Sequence, residues 1–347
     1  MIKKSIKLFF ELLLLLFLLV CLCWNKMAIY GIQQGAGQVS MIWNAKPIEE
    51  VMNDASFPDS LKQKLLLIAE IKQFTIDSLG MNPSENYSSV FDQGKTATLL
   101  TVSACEPFSL QPKEWTFPFL GSVPYKGFFD KEEARKEILK LRMDGYDVDV
   151  YSPSGWSTLG WFNDPILSSM LQRSDGGLSN LIIHELTHGT LFVKNDVNFN
   201  ENLANFIGDK GAEKFLIYKF GENSKQYIDY QQNKLDEKIF DEYILKSTER
   251  LDSLYKLLGR GISEEQMKLK KKALIMEIVL GVNRLPLYKK KNYFNYSMQA
   301  FQEGNAFFMT FTRYDSQYEI FNKEFVEVYH SDLRKYMIAL KEKWPSL

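Results

Sequence analysis

The chain has 347 residues, 42 Lys and Arg against 43 Asp and Glu, a formal net charge of −1 and 45% hydrophobic residues. That apolar content excludes intrinsic disorder, because it is enough to offset the entropy of ordering. The balanced charge argues against a nucleic-acid partner, which requires a basic excess to displace counterions from phosphates.

Lys3, Lys4 and Lys7 precede an apolar run from Leu8 to Trp24 that only Glu11 interrupts. A basic stretch followed by an apolar one is the pattern of a signal anchor or signal peptide. Residues 1–26 are therefore expected to tie the chain to a membrane or to export it. The lysines in front place the remainder on the periplasmic, extracytoplasmic side. Cys21 and Cys23 lie in the run, so Cys105 is left alone and no disulfide is expected beyond it.

Pro47 to Asp54 reads as a short helix with Pro in its first turn. Asp59 to Leu79 has apolar residues at helical spacing and Gly80 as its stop. Residues 98–104 and 146–151 read as strands, the second by strict alternation. Between them, 106–129 reads as an ordered loop or hairpin and Asp130 to Met143 as a charged amphipathic helix ended by Gly145. From Gly177 onward the pattern is helical. Glu222 to Leu258 places Phe240, Ile244, Leu251, Leu254 and Leu258 at near-heptad spacing, and Ser263 to Gly281 is expected to pair with it. The lysines at 268, 270, 271 and 272 read as a solvated face. The expected architecture is α+β and helix-dominated: an N-terminal α+β region on the substrate side, 27–175, then a helical region, 176–347.

The chemistry concentrates at His184-Glu185-Leu186-Thr187-His188. Spacing of i, i+4 on a helix puts both imidazoles on one side, close enough to share a cation. Neutral imidazoles and an open position suit one Zn²⁺ per chain. Asp175 is the expected N-cap, and Ile182, Leu186 and Val193 the apolar stripe facing away from the metal. A catalytic zinc site requires a third protein ligand. Glu201 is the expected one, on a helix where Gly208 and Ala212 allow close approach to the histidine helix. Asp196, Glu213 and His330 are its rivals, and a capping role for Glu201 with Asn198 as N-cap is the alternative to ligation. Glu185 is expected to take a proton from the attacking water and pass it to the leaving amine. Tyr314, Arg313 and Tyr151 are candidates for stabilising the oxyanion, and Asp209 for supporting a histidine from behind.

His184-Glu185-x-x-His188 with Asn200-Glu201-x-x-Ala204 resembles the gluzincin group of zinc peptidases. Residues 30–51, 108–129, 157–165 and 303–314 are similar to characteristic stretches of a bacterial family of predicted aminopeptidases, exported or membrane-linked. The resemblance covers most of residues 28–330. It implies a zincin-like fold, a peptide substrate and removal of N-terminal amino acids. Many relatives carry cysteines in the block around Trp115, where this chain has Thr116 and Ser122, so no disulfide braces that loop. The Gly-x-Met-Glu-Asn amine-binding motif of large zinc aminopeptidases is absent. The stretch 155–162 is expected to line the substrate cleft by strand addition, with Trp156, Trp161 and Phe162 as its walls. Two readings stand beside the zinc aminopeptidase: a zinc endopeptidase, and a membrane-anchored binding or scaffold protein with a vestigial metal site.

Overall fold

A computed structural model describes residues 10–18, 25–94, 99–117, 121–152, 163–194, 196–258, 261–311 and 317–344. Residues 10–18 form α1, whose leucines are exposed. Among the described residues no helix is long and apolar enough to cross a membrane. Residues 1–9 and 19–24 of the expected N-terminal segment lie outside them.

The first half carries α2 (Asn25–Trp43), β1 (Lys46–Pro47), α3 (Ile48–Asn53), α4 (Asp59–Phe74) and β2 (Ser89–Phe91). Pro47 stands just outside α3 with extended backbone, and α4 ends in a widened turn, Thr75–Leu79, closed by Gly80 at φ 76°. That positive φ is cheap for Gly, which has no Cβ to clash. Next come β3 (Leu100–Cys105), β4 (Trp115–Phe117), β5 (Gly121–Val123), β6 (Lys126–Phe128), α5 (Lys131–Met143), β7 (Asp147–Tyr151) and β8 (Ile166–Leu167). The strands form three small sheets, in the orders β1-β2-β8, β6-β3-β7 and β4-β5. In the hairpin β4–β5, Thr116 stands directly opposite Ser122 and their hydroxyls are 2.8 Å apart. That side-chain hydrogen bond therefore joins the two strands of this hairpin.

The β6-β3-β7 sheet has two unlike faces, because side chains alternate along a strand. Val102, Ala104 and Val148 pack against Ala134 and Leu141 of α5. The other face is polar yet buried, with Thr101, Ser103 and Asp149 each under 9% exposed.

The second half is helical: α6 (Asp175–Thr190), α7 (Val197–Phe220), α8 (Lys225–Tyr255), α9 (Glu264–Val282), α10 (Lys290–Ser297), α11 (Ala300–Glu303), α12 (Asn305–Met309), α13 (Tyr318–Glu327) and α14 (Leu333–Lys343). The largest core joins α4, α6, α7, α13 and α14 through Ile68, Ile71, Ile182, Phe206, Phe215, Phe321 and Tyr336. A second core lies between α8 and α9 and includes Phe240, Ile244 and Leu251. Leu258, expected on that seam, lies beyond the end of α8 and is 38% exposed.

One lysine of the run expected to be solvated is not. Lys271 is 9% exposed, pairs with Asp147 of β7 and donates to the Pro107 carbonyl at 2.8 Å. Spacing alone does not reveal that a strand carboxylate meets this face of α9. Beside it, the Asn305 side chain donates to the Glu106 carbonyl at 2.9 Å and accepts from the Tyr255 hydroxyl at 2.6 Å. Gly304, at φ 55°, lies so close to Asp147 that a Cβ would meet its carboxylate at 2.3 Å. The stretch around 303–309 is thus a joint between sheet and helices.

Candidate metal centre

Helix α6 begins at Ser174, whose hydroxyl accepts from the Gly177 N–H at 3.1 Å. The expected cap, Asp175, instead pairs with Lys64 at 2.5 Å. Leu178, Ile182, Ile183 and Leu186 bury one side of the helix in the main core. That burial fixes the rotation of α6, and so the direction in which His184 and His188 point. The helix stops at Thr190, so Val193 belongs to the following loop rather than to the apolar stripe.

The loop returns the chain to α7 through two specific contacts. Asp196 caps α7 by accepting from the Phe199 N–H at 3.0 Å, so the alternative with Asn198 as cap is not adopted. Asn200, 3% exposed, closes a ring on Val193: it accepts from the Val193 N–H and donates to the Val193 carbonyl, both at 2.8 Å. Further along α7, a Cβ on Gly208 would meet the Asn180 carbonyl at 3.0 Å and His184 Cβ at 3.2 Å. Gly211 does the same against Ile183, where the nearest atom is 2.8 Å away. Two glycines on one helix therefore let α6 and α7 approach closely; only Gly208 was expected.

This approach brings the three expected ligands together. His184 Nε2 and His188 Nε2 are 3.2 Å apart, and Glu201 places Oε2 3.6 Å from the first and Oε1 3.4 Å from the second. Four donors at zinc bond lengths stand roughly 3.3 Å apart in a tetrahedron. The separation of the two imidazole nitrogens matches that spacing, a different Glu201 oxygen lies near each of them, and the set of two imidazoles and a carboxylate is one that zinc accepts. Among the described residues this is the only group of three His, Cys, Asp or Glu gathered so closely. The rivals are engaged elsewhere. Glu213 pairs with Lys234 at 3.0 Å, Asp196 caps α7, and His330 sits at φ 50° in the turn between α13 and α14.

The electrostatics favour ligation. Burial, reinforced by the charge of His184, pushes His188 down to about 4. Its imidazole is therefore neutral near pH 7, the form that binds metal. Burial also raises Glu201, but the hydrogen bond to His184 and the nearby His188 bring it below its ordinary value, so it is a carboxylate. Glu185 is 9% exposed, and burial raises it to about 7, with Glu201 and Asp164 adding to the rise and His184 opposing it. A carboxyl held near neutrality can both take and return a proton.

Behind Glu185 lies a residue that the sequence did not mark. Tyr87 is 1% exposed, has φ 64°, and its hydroxyl has no hydrogen-bond partner among the described residues. Burial raises it well above the ordinary phenol range, and the charges of Glu185 and Asp164 raise it further. Its N–H donates to the Asp164 carbonyl at 2.7 Å, and the Asp164 N–H donates to Asn86 Oδ1 at 3.1 Å. A left-handed aromatic residue is a backbone outlier that its surroundings must enforce. No spacing rule signals it.

Asp209 does not support a histidine. It accepts from Tyr230 at 2.8 Å, Tyr318 at 2.9 Å and Asn180 at 3.2 Å, and pairs with Lys234. Tyr151 ends β7 opposite Thr101. Trp156, Trp161, Phe162, Arg313 and Tyr314 lie outside the described residues.

No curated protein and no solved structure matches the chain. Residues 29–343 match the model of the family described as "Putative aminopeptidase", and on that coverage the chain belongs to this family of aminopeptidase-like proteins.

Proposed function

We propose that the chain is a zinc-dependent peptidase that removes N-terminal residues from peptides outside the cytoplasmic membrane. The observation that carries this reading is the convergence of His184, His188 and Glu201 beside a buried Glu185. Family membership supports the peptide substrate and the aminopeptidase class.

In this reading His184 Nε2, His188 Nε2 and one oxygen of Glu201 hold the metal. A zinc ion there supplies Lewis-acid polarisation of a carbonyl and a lowered water pKa. Glu185 accepts a proton from the attacking water as its oxygen bonds to the scissile carbonyl carbon. The C–N bond then breaks, and Glu185 returns that proton to the departing nitrogen. A buried carboxyl beside the proposed ligands is placed to serve both halves of the exchange. Glu185 and His188 are buried while Glu201 is half-exposed, so the site is open on the Glu201 side.

The test uses the purified chain loaded with zinc and one peptide pool, half with free and half with acetylated N-termini. Mass spectrometry follows the products, with Glu185→Gln as control, and metal analysis is run on the same samples. Loss of single residues from free peptides only is the expected result. Internal cuts in both halves would make the chain an endopeptidase. No cleavage by a zinc-loaded chain would favour a binding protein.

A further inference from the structure

Helix α2 presents two opposed faces, and among the described residues the fold uses one of them. On the inner face, the Tyr30 hydroxyl donates to the Gly127 carbonyl at 2.7 Å, and Gln34 accepts from the Phe129 N–H at 3.2 Å. Gly37 lies against the Phe129 ring so closely that a Cβ would come within 2.3 Å of it, and Met41 is 2% exposed. These contacts fix the rotation of the helix.

The outer face carries Ile29, Ile32, Val39 and Trp43, exposed to 55%, 66%, 57% and 85%, with Ala36 exposed among them. At about 100° per residue these five positions fall within an arc of about 80°. The inner residues lie on the other side of the wheel, so the stripe cannot turn inward without breaking them. No Asp, Glu, Lys or Arg occurs between Met27 and Ala45. A solvated helix face ordinarily carries such charges. Here an uncharged surface helix shows a continuous apolar stripe.

We propose that α2 lies along the surface of a lipid bilayer, its stripe seated at the boundary of headgroups and acyl chains. The occupant is indicated by what adjoins the helix. The chain before it is the apolar run with Lys3, Lys4 and Lys7, and α1 within that run exposes every leucine from Leu12 to Leu16. Lys26 stands at one end of α2 and Trp43 at the other, residue types that settle at headgroup depth. Among the described residues nothing lies within 4 Å of where a Cβ of Gly31 or Gly35 would be. With its inner face bound to the sheet region, α2 would hold the body at the membrane in one orientation rather than on a free tether. The inference rests on the extracytoplasmic placement in the proposed function and on the membrane tether expected of residues 1–26, and is independent of the metal.

The test uses the full chain in vesicles of three parts phosphatidylcholine to one part phosphatidylglycerol. Nitroxides are placed through Ile32→Cys or Val39→Cys in a background with Cys21→Ser and Cys23→Ser; Cys105 is buried and stays unlabelled. Leu269→Cys, 64% exposed on α9, is the aqueous reference. The expected result is that both α2 labels collide with oxygen severalfold more, relative to an aqueous nickel chelate, than the reference label does. A chain that floats with the vesicles while both labels read as aqueous would overturn the docking of α2 and leave attachment standing. Spin–spin broadening that persists without lipid would overturn it in favour of a second copy on the stripe. A chain that fails to float would remove attachment and docking together, with zinc content and peptide cleavage read separately on the same preparation.

Discussion

Asn200→Ala is expected to damage the candidate metal centre without touching a proposed ligand. The side chain is 3% exposed and makes two 2.8 Å hydrogen bonds, both to Val193. Each such bond contributes about 1 kcal/mol net, and a buried partner left unsatisfied costs about 1–3 kcal/mol. The loss should total about 2–4 kcal/mol. For a chain of this length that lowers Tm by about 3–6 °C. The loop that Asn200 closes sets the approach of Glu201 to His184 and His188. Loosening it should weaken zinc by about 10–100-fold, as removal of ligand-orienting groups generally does. Asn200→Asp makes a sharper probe. It keeps an acceptor for the Val193 N–H but turns a carboxylate oxygen on the Val193 carbonyl, so it should be at least as harmful. Calorimetry on the metal-free protein reads the fold, and chelator competition reads the affinity. An Ala variant with unchanged Tm and zinc affinity within twofold would refute the reasoning, because the loop would then be held by other contacts.

Further outcomes follow from the same geometry. Glu185→Gln should lower kcat by at least about 10²-fold while zinc content stays the same, since in the proposed reaction the residue moves a proton and does not hold metal; equal loss of zinc would show a ligand role. Tyr87→Phe removes a buried hydroxyl with no partner among the described residues and should raise stability by up to about 1 kcal/mol in thermal unfolding; a drop would reveal a partner. Gly208→Ala should destabilise by about 1–3 kcal/mol and weaken zinc, because its Cβ meets the Asn180 carbonyl and His184. Gly31→Ala, with open space at its Cβ, should be neutral or gain up to about 1 kcal/mol; the same response at both sites would refute the close-approach argument. Burial raises Glu303 to about 8, helped by the Asp149 charge and the hydrogen bond with Asp149, and opposed by Arg142. The folded state therefore binds a proton that the unfolded chain releases near its ordinary value of about 4.3, so this contribution falls as pH rises from about 4.3 to about 8. Glu303→Gln should raise Tm at pH 8 more than at pH 5; a uniform shift would show that the carboxyl pair does not share a proton in the fold.

The histidine pair was legible from sequence because helical spacing is local. Once α6 forms, residues four apart share a side whatever else happens. Glu201 as partner required two inferences that the chain supplied only in part. The need for a third ligand pointed to it, and Gly208 suggested how near α7 could come. That the loop closes through Asn200 and Val193, and that Gly211 shares the close approach, depends on atoms paired only after the helices dock. Capping was misread between Ser174 and Asp175 for a similar reason: both residue types cap helices, and the ion pair with Lys64 on α4 claimed the second.

By itself, the sequence determined the helical second half, the alternating strand β7, the glycine stop after the widened turn, and the imidazole pair with its adjacent carboxylate. Each follows from periodicity or backbone preference within a few residues. Tertiary structure alone decided that Lys271 is buried against Asp147, that Tyr87 is held at positive φ behind Glu185, and that α2 forms at all, despite its glycines, by fastening one face to residues 127–129. These are long-range outcomes: the partner lies far along the chain, and the free energy of the contact overrides what the local residues prefer.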